Sequence, residues 1–202
     1  MEKSRPNGWR LALRAGCLAA VAALPVPVGQ VLAQGVSTPD VAVTTLNGQH
    51  DFDFELGTWT MHRRRLQHPL SGSTTWLSAG PAEHIVRTIW GGRAFLAELR
   101  VDSPTPHFVG SILHLHDPQS HQWYLYWASS EDGKVAAPMV GAFRKGRGEF
   151  IDQEPFHGVM ILVRVVYSAI TPTSFRTEQS FSADGGVTWE VNAVDTFTRR
   201  KG

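Results

Sequence analysis

The 202-residue sequence predicts an all-β protein, a single antiparallel up-and-down barrel of roughly ten strands. From Asp51 onward no apolar stripe follows a helical period, whereas alternating, β-branched and aromatic segments recur between turn residues. Nearly every connection is short enough for a hairpin. Because closure removes the exposed edges of such a series, we expect a barrel, with two packed sheets as the alternative.

Eleven segments have the composition of short strands, and turn residues separate them. Gly91-Gly92 suits a tight hairpin, Asp117-Pro118 favours a type I turn, and Asp184-Gly185-Gly186 marks a later hairpin. The predicted strands are residues 57–66, 74–79, 84–90, 94–101, 108–116, 123–129, 139–143, 149–153, 160–168, 175–182 and 189–198.

The N-terminal segment has the order of a secretory signal peptide. Four basic side chains precede an apolar stretch over residues 15–32, and Ala33 offers a cleavage point. We therefore expect a signal peptide at residues 1–33, a flexible lead-in at 34–49, a barrel domain at 50–202, and a protein that is periplasmic or secreted. Pro25 and Pro27 argue against a membrane-spanning helix.

Charge and cysteine content narrow the function classes. Removal of residues 1–33 leaves 15 basic and 17 acidic residues, a net charge of −2, with no run of more than three basic residues. Nucleic acids attract clustered Lys and Arg, so we expect no nucleic-acid partner. The single cysteine, Cys17, lies in the predicted signal peptide, so neither a disulfide nor a Cys-ligated metal is expected in the mature chain.

Two motifs resemble those of the calycin superfamily, the lipocalin and nitrobindin-like barrels. DFDFELGTW at 51–59 contains a Gly-x-Trp, and the chain ends in Phe197-Thr198-Arg199-Arg200. The run from Asp51 to Arg200 also resembles an uncharacterised family of secreted bacterial barrel proteins. It shares with that family Asp117-Pro118, Gln122-Trp123, Ile170-Thr171-Pro172-Thr173 and the SADGG hairpin. The calycin resemblance implies that Trp59 plugs one barrel end and that Arg199 or Arg200 covers its ring.

The sequence Ser182 to Trp189 fits the Asp-box pattern S-x-D-x-G-x-T-W of sialidase propellers. It occurs once, and about 150 residues are too few for a six-bladed propeller. We interpret it as a folding device, in which Asp184 bonds turn amides and Trp189 packs beneath the hairpin.

The strongest candidate for a ligand site is one face of the hairpin around Asp117. A tight turn there pairs His116 with Trp123, His114 with Leu125 and Ile112 with Trp127, so two imidazoles and two indoles share a face. Such a face is typical of an interior pocket, which is apolar with a few polar anchors. The alternative is a filled barrel with exposed histidines.

Charged residues within strands extend this hypothesis. Glu98 and Arg100 share one strand face, and Arg63 and Arg65 share another. Such residues commonly face solvent or pair across strands, and this interpretation stays open here; an inward arginine would instead suit an anionic ligand. We therefore expect the protein to bind a small apolar, aromatic or anionic molecule through His114, His116, Trp123, Trp127, Glu98 and Arg100.

Chemistry on the bound molecule is the alternative function. No nucleophile elbow, phosphate loop, zinc-protease helix or dinucleotide fingerprint is present. The enzyme hypothesis is therefore a lyase, isomerase or metal-dependent reaction at a cavity histidine, with His114 or His116 as the acid or base. The spacing of His114, His116 and His121 suits metal ligands, but no Glu follows where a cupin supplies one. We assign neither a metal nor a cofactor, haem included.

Overall fold

The computed structural model describes residues 48–101 and 108–201. The predicted signal peptide and residues 34–47 of the lead-in lie outside these ranges. The described chain forms ten strands: β1 Gly57–Leu66, β2 Trp76–Ile89, β3 Ala94–Val101, β4 Phe108–Asp117, β5 Gln122–Ser129, β6 Met139–Arg144, β7 Arg147–Phe156, β8 Val159–Ser168, β9 Ser174–Ser182 and β10 Glu190–Arg199.

The strands form one closed antiparallel barrel in which each strand pairs with its neighbours in sequence. Closure is made by β1 and β10, where Trp59 lies opposite Arg199 and Arg65 lies opposite Ala193. The predicted fold class, an all-β up-and-down barrel, is confirmed. Closure leaves no unpaired sheet edge between the first strand and the last.

The main difference from the predicted elements is β2. Segments 74–79 and 84–90 were predicted as separate strands, but β2 runs unbroken from Trp76 to Ile89. Gly80 and Pro81 lie where the pairing with β1 shifts, between Met61 opposite Ala82 and Arg63 opposite Ala79. A bulge accepts a proline because an amide there has no ladder partner, so these two residues bend one strand instead of ending it.

The predicted turns form with the expected chemistry. The Asp117 carboxylate accepts hydrogen bonds from the Gln119 amide and the Ser120 hydroxyl, and His121 has a φ of 55°. In the later hairpin, Asp184 accepts bonds from the amide and hydroxyl of Thr188, which holds the pKa of Asp184 down at about 2. The Asp-box pattern therefore stabilises a turn.

One barrel end is filled by the segment that precedes β1. Residues Asp53–Glu55 form a short 3-10 turn, and Phe52 and Phe54 enter the barrel from it. The Phe52 ring stacks on His114 at 4.4 Å between centroids and meets Trp123 and Tyr167 edge-on. We call residues 52–55 the plug. Within the described ranges, no helix is long and apolar enough to cross a membrane.

Candidate functional site

Above the plug, the barrel interior holds a cavity of about 420 Å³. This volume lies within the range of about 300–1,000 Å³ that is usual for small-molecule sites. Inward positions of the strands supply an apolar wall, which consists of Met61, Ala97, Leu99, Ile112, Leu125, Trp127, Met139, Val165, Ala193 and Phe197. The cavity is therefore apolar along much of its wall, with polar side chains at particular points.

The polar floor of the cavity consists of Glu55, His84 and Tyr167. Glu55 comes from the plug and is 1% exposed, and its Oε1 lies 3.1 Å from Nε2 of His84 on β2. Tyr167 is buried beside them, and its pKa is raised well above 10 because burial and then the Glu55 charge disfavour the phenolate. The floor thus places a carboxylate, an imidazole and a neutral phenol together.

Glu55 and His84 were not predicted as site residues. A signal for His84 exists, because Ala82, His84 and Val86 alternate with more polar residues along β2 and all three are buried. No comparable signal marks Glu55. Its position depends on how the plug enters the barrel, which strand periodicity does not describe.

The predicted histidine pair lies below the cavity. The register of β4 and β5 is as predicted, with His116 opposite Trp123 and His114 opposite Leu125. His114 is fully buried between the barrel wall and Phe52, and burial lowers its pKa to about 4. His116 packs against the Trp123 ring at 5.0 Å and stands close to Gly48. Neither histidine belongs to the cavity lining, because the plug occupies this end of the barrel.

The two predicted tryptophans separate along β5. Trp123 is fully buried at the plug, and its Nε1 donates to the carbonyl of Gly48 at 3.0 Å. Trp127 lies four residues further on the same face and lines the cavity. Its ring packs so closely over Gly110 that a Cβ there would overlap the indole. Gly110 therefore permits the position of Trp127 in the wall.

Glu98 and Arg100 lie on the outer face of β3, which corrects their predicted place in the pocket. The inward positions of this strand are Ala97 and Leu99, both buried, so strand alternation turns the two charged residues outward. Arg100 donates to Glu98 at 2.7 Å in a shallow surface depression. This pair is separated from the cavity by the barrel wall.

The inward arginine expected for an anionic ligand is already engaged. Nε and Nη2 of Arg63 donate to the two carboxylate oxygens of Asp195 at 2.6 and 2.5 Å. This hydrogen bonding raises the pKa of Arg63. Arg65, two residues further along β1, also lines the cavity and is exposed. The Arg63 and Asp195 pair spans the closing strands and is neutral as a unit.

Two carboxyl groups line the cavity from β7. Its inward positions run from fully buried Phe150 through half-buried Asp152 to exposed Glu154. Burial, and next the charge of Glu154, raise the pKa of Asp152 to about 7. Glu131, which follows β5, adds a further carboxyl group to the lining and is also exposed. The cavity therefore becomes acidic away from the plug.

The plug is fastened by Arg199, one of the two arginines that the resemblance had left open. Its guanidinium lies 4.0 Å from the centroid of the Trp59 ring and donates to the carbonyls of Phe54 and Leu56. Gly57 has a φ of 110°, and a Cβ there would come within 2.9 Å of the Arg199 Nη1. Only glycine suits both conditions, which explains the Gly in this Gly-x-Trp.

Arg200 has a different partner. It pairs with Glu83 on the exposed face.

In residues 48–101 and 108–201, no three His, Cys, Asp or Glu side chains are grouped so that they could hold a metal ion.

Comparison with known proteins identifies no family for this chain. No protein-family model and no curated protein matches the sequence. Among solved structures that match, a redesigned β-barrel is 10% identical, covers 75% of this chain and 96% of its own, and has a TM-score of 0.41. The barrel assignment here is based on the strand pairing of the chain itself.

Proposed function

We propose that this is an exported protein that binds a small molecule with an apolar or aromatic body inside its barrel. One observation carries the proposal, namely the 420 Å³ cavity, whose wall is apolar along much of its extent and carries polar side chains at the floor and on β7. A barrel with only a structural role gains stability when its interior is filled, since an unfilled cavity costs contacts. The plug fills one end of this barrel with aromatic rings, while the rest of the interior stays open.

Probe binding tests this proposal. The neutral fluorophore N-phenyl-1-naphthylamine is titrated into the wild type, Trp127→Ala and Trp90→Ala, with a melting curve for each variant. Trp127 is in the cavity wall, whereas Trp90 is 62% exposed in the turn before β3 and serves as the matched control. Loss of an aromatic wall should weaken binding about tenfold. Equal affinity in all three folded proteins, or no saturable binding by the wild type, would overturn the proposal.

Export is part of the same proposal and has its own test. It is supported by the basic and then apolar N-terminal order described above. Native mass spectrometry of protein recovered from the periplasm or medium should give a polypeptide that begins at Gln34. It should also detect any retained ligand as added mass. A full-length mass in the cytoplasmic fraction alone would contradict export.

A second candidate function is proton transfer on the bound molecule, favoured by the hydrogen bond between His84 and Glu55 at the cavity floor. A carboxylate that orients an imidazole is a common acid–base arrangement. Phenylacetone in D₂O is a suitable probe, since a general base accelerates exchange of its α-protons. Exchange should be lost in His84→Gln and kept in His62→Gln, whose side chain is exposed on β1. Equal exchange in both variants would refute this function.

A further inference from the structure

The cavity lining contains more acidic than basic groups. Its carboxyl groups belong to Glu55, Glu131, Asp152, Glu154 and Asp195, and its guanidinium groups belong to Arg63 and Arg65. Because Arg63 and Asp195 neutralise each other, four carboxyl groups remain against Arg65 and the floor imidazole of His84. Lining charge of one sign in a low-dielectric cleft favours a ligand of the opposite sign.

An unsatisfied acceptor lies at the cavity floor. Glu55 is 1% exposed, and its Oε2 has no hydrogen-bond partner among the described residues. Nδ1 of His114 is 3.8 Å from this oxygen, and burial lowers the pKa of His114 to about 4, so this imidazole is neutral at pH 7. Buried acceptors in native proteins are normally bonded. The plug therefore holds a buried carboxyl oxygen without a donor among the described residues.

A second unsatisfied acceptor lies in the wall. Oδ1 of Asp152 is buried and has no hydrogen-bond partner among the described residues. The next inward residue on β7 is Glu154, so two carboxyl groups lie in succession on one face of the strand. A wall position beside Phe150 is costly for a carboxyl group unless a partner offsets its desolvation. Solubility does not explain an inward carboxyl group at Asp152, because an outward carboxyl group would increase solubility equally well.

The aromatic part of the wall complements these acceptors. Trp127 lines the cavity from β5, and Tyr167 lines it from β8. The faces of such rings attract cations as well as apolar surface. By contrast, Arg65 is the one lining guanidinium that forms no ion pair among the described residues, and it is exposed and outnumbered by the carboxyl groups of the lining.

We propose that the cavity binds an organic cation, a protonated amine whose nitrogen is received by Asp152 and Glu154 and whose apolar body packs against Trp127. This inference rests on the proposed binding function and names the chemical class of its ligand. It replaces the anionic class expected from the sequence, because that class needed an inward arginine free of a partner and Arg63 is bound to Asp195.

Three naphthalenes of similar size but different charge test the proposal. They are 1-naphthylmethylamine, 1-naphthalenemethanol and 1-naphthoate, which are cationic, neutral and anionic at pH 8. Calorimetric titration should show the amine binding at least about tenfold more tightly than the alcohol, and naphthoate more weakly than both. The double variant Asp152→Asn, Glu154→Gln should bind the amine no better than the alcohol, with affinity for the alcohol unchanged. Glu98→Gln, on the outer face, should behave like the wild type.

The other possible outcomes distinguish a failure of this inference from a failure of the proposed binding function. Equal affinity for the amine and the alcohol would overturn cation selectivity and leave small-molecule binding in place. Tightest binding of naphthoate would show that Arg65 dominates and would also overturn the inference. If neither the naphthalenes nor N-phenyl-1-naphthylamine bind, the binding function itself fails.

Discussion

Replacing Arg199 by methionine tests how the barrel end is closed. Methionine keeps much of the side-chain volume and removes the charge and all the donors. In the wild type, Arg199 donates to the carbonyls of Leu56, Phe54 and Pro172 at 2.6, 2.8 and 2.7 Å, and it lies over the Trp59 ring. Arg200→Met is the control, because Arg200 makes only an exposed side-chain pair with Glu83.

The two variants should differ in stability by a predictable amount. The bonds from Arg199 to Leu56 and Phe54 are partly buried and charge-assisted, so each contributes about 1–1.5 kcal/mol. The cation over Trp59 adds about 1 kcal/mol. The bond to Pro172 is exposed and adds little. Arg199→Met should therefore lower the free energy of unfolding by about 3–4 kcal/mol, and Arg200→Met by less than about 1 kcal/mol.

Urea unfolding followed by circular dichroism measures both changes. With slopes of about 1–3 kcal/mol per molar urea, the midpoint of Arg199→Met should fall by at least about 1 M. Hydrogen exchange should show faster exchange of the plug amides in this variant before global unfolding. A midpoint within error of the Arg200→Met value would refute the role assigned to Arg199.

Two further predictions concern pH. The pKa of Asp152 is about 7 when folded and 3.8 ordinarily, so deprotonation disfavours the folded state as pH rises through this interval. Asp152→Asn should stabilise the apo-protein by about 1–2 kcal/mol at pH 8, after allowance for solvent screening, and not at pH 4. An equal gain in stability at pH 4 and at pH 8 would contradict this prediction. Asp184 has a lowered pKa of about 2, so its contribution is lost as pH falls. Asp184→Asn should melt below the wild type at pH 7, and this difference should shrink between pH 5 and pH 3.

The strands were predictable because their signals are local. Period-two alternation and turn chemistry depend on residues within a few positions, and they located nine of the ten strands as separate elements. The exception, β2, contains Gly80-Pro81, which is compatible with a turn and with a bulge. Only the pairing with β1 decides between them, and that pairing depends on distant residues.

The site was less predictable because residue alternation shows on which face of a strand a side chain lies, but not how far along the barrel interior it lies or what it meets there. The register of β4 and β5 was predicted correctly, and His114 and Trp123 are both buried. What occupies the space beyond these two side chains depends on Phe52, which reaches the barrel from outside the strand series. The plug therefore buries His114 and Trp123, two of the predicted ligand residues, and places Glu55 at the cavity floor beside His84. No periodic pattern in the sequence indicates that position of Glu55.

Removing a charge at the plug and removing one from the cavity wall should change the stability of the fold in opposite directions. At the plug, Arg199 satisfies backbone carbonyls, so its loss leaves acceptors without donors and destabilises the fold. In the wall, Asp152 has a buried oxygen without a donor, so its neutralisation relieves desolvation and stabilises the empty protein. In the proposed complex, the ligand ammonium supplies the missing partner for this carboxyl group. Saturating 1-naphthylmethylamine should therefore reverse the order, so that wild type melts above Asp152→Asn only with the amine bound. If the variant remained the more stable protein with the amine bound, Asp152 would have no role in receiving a cation.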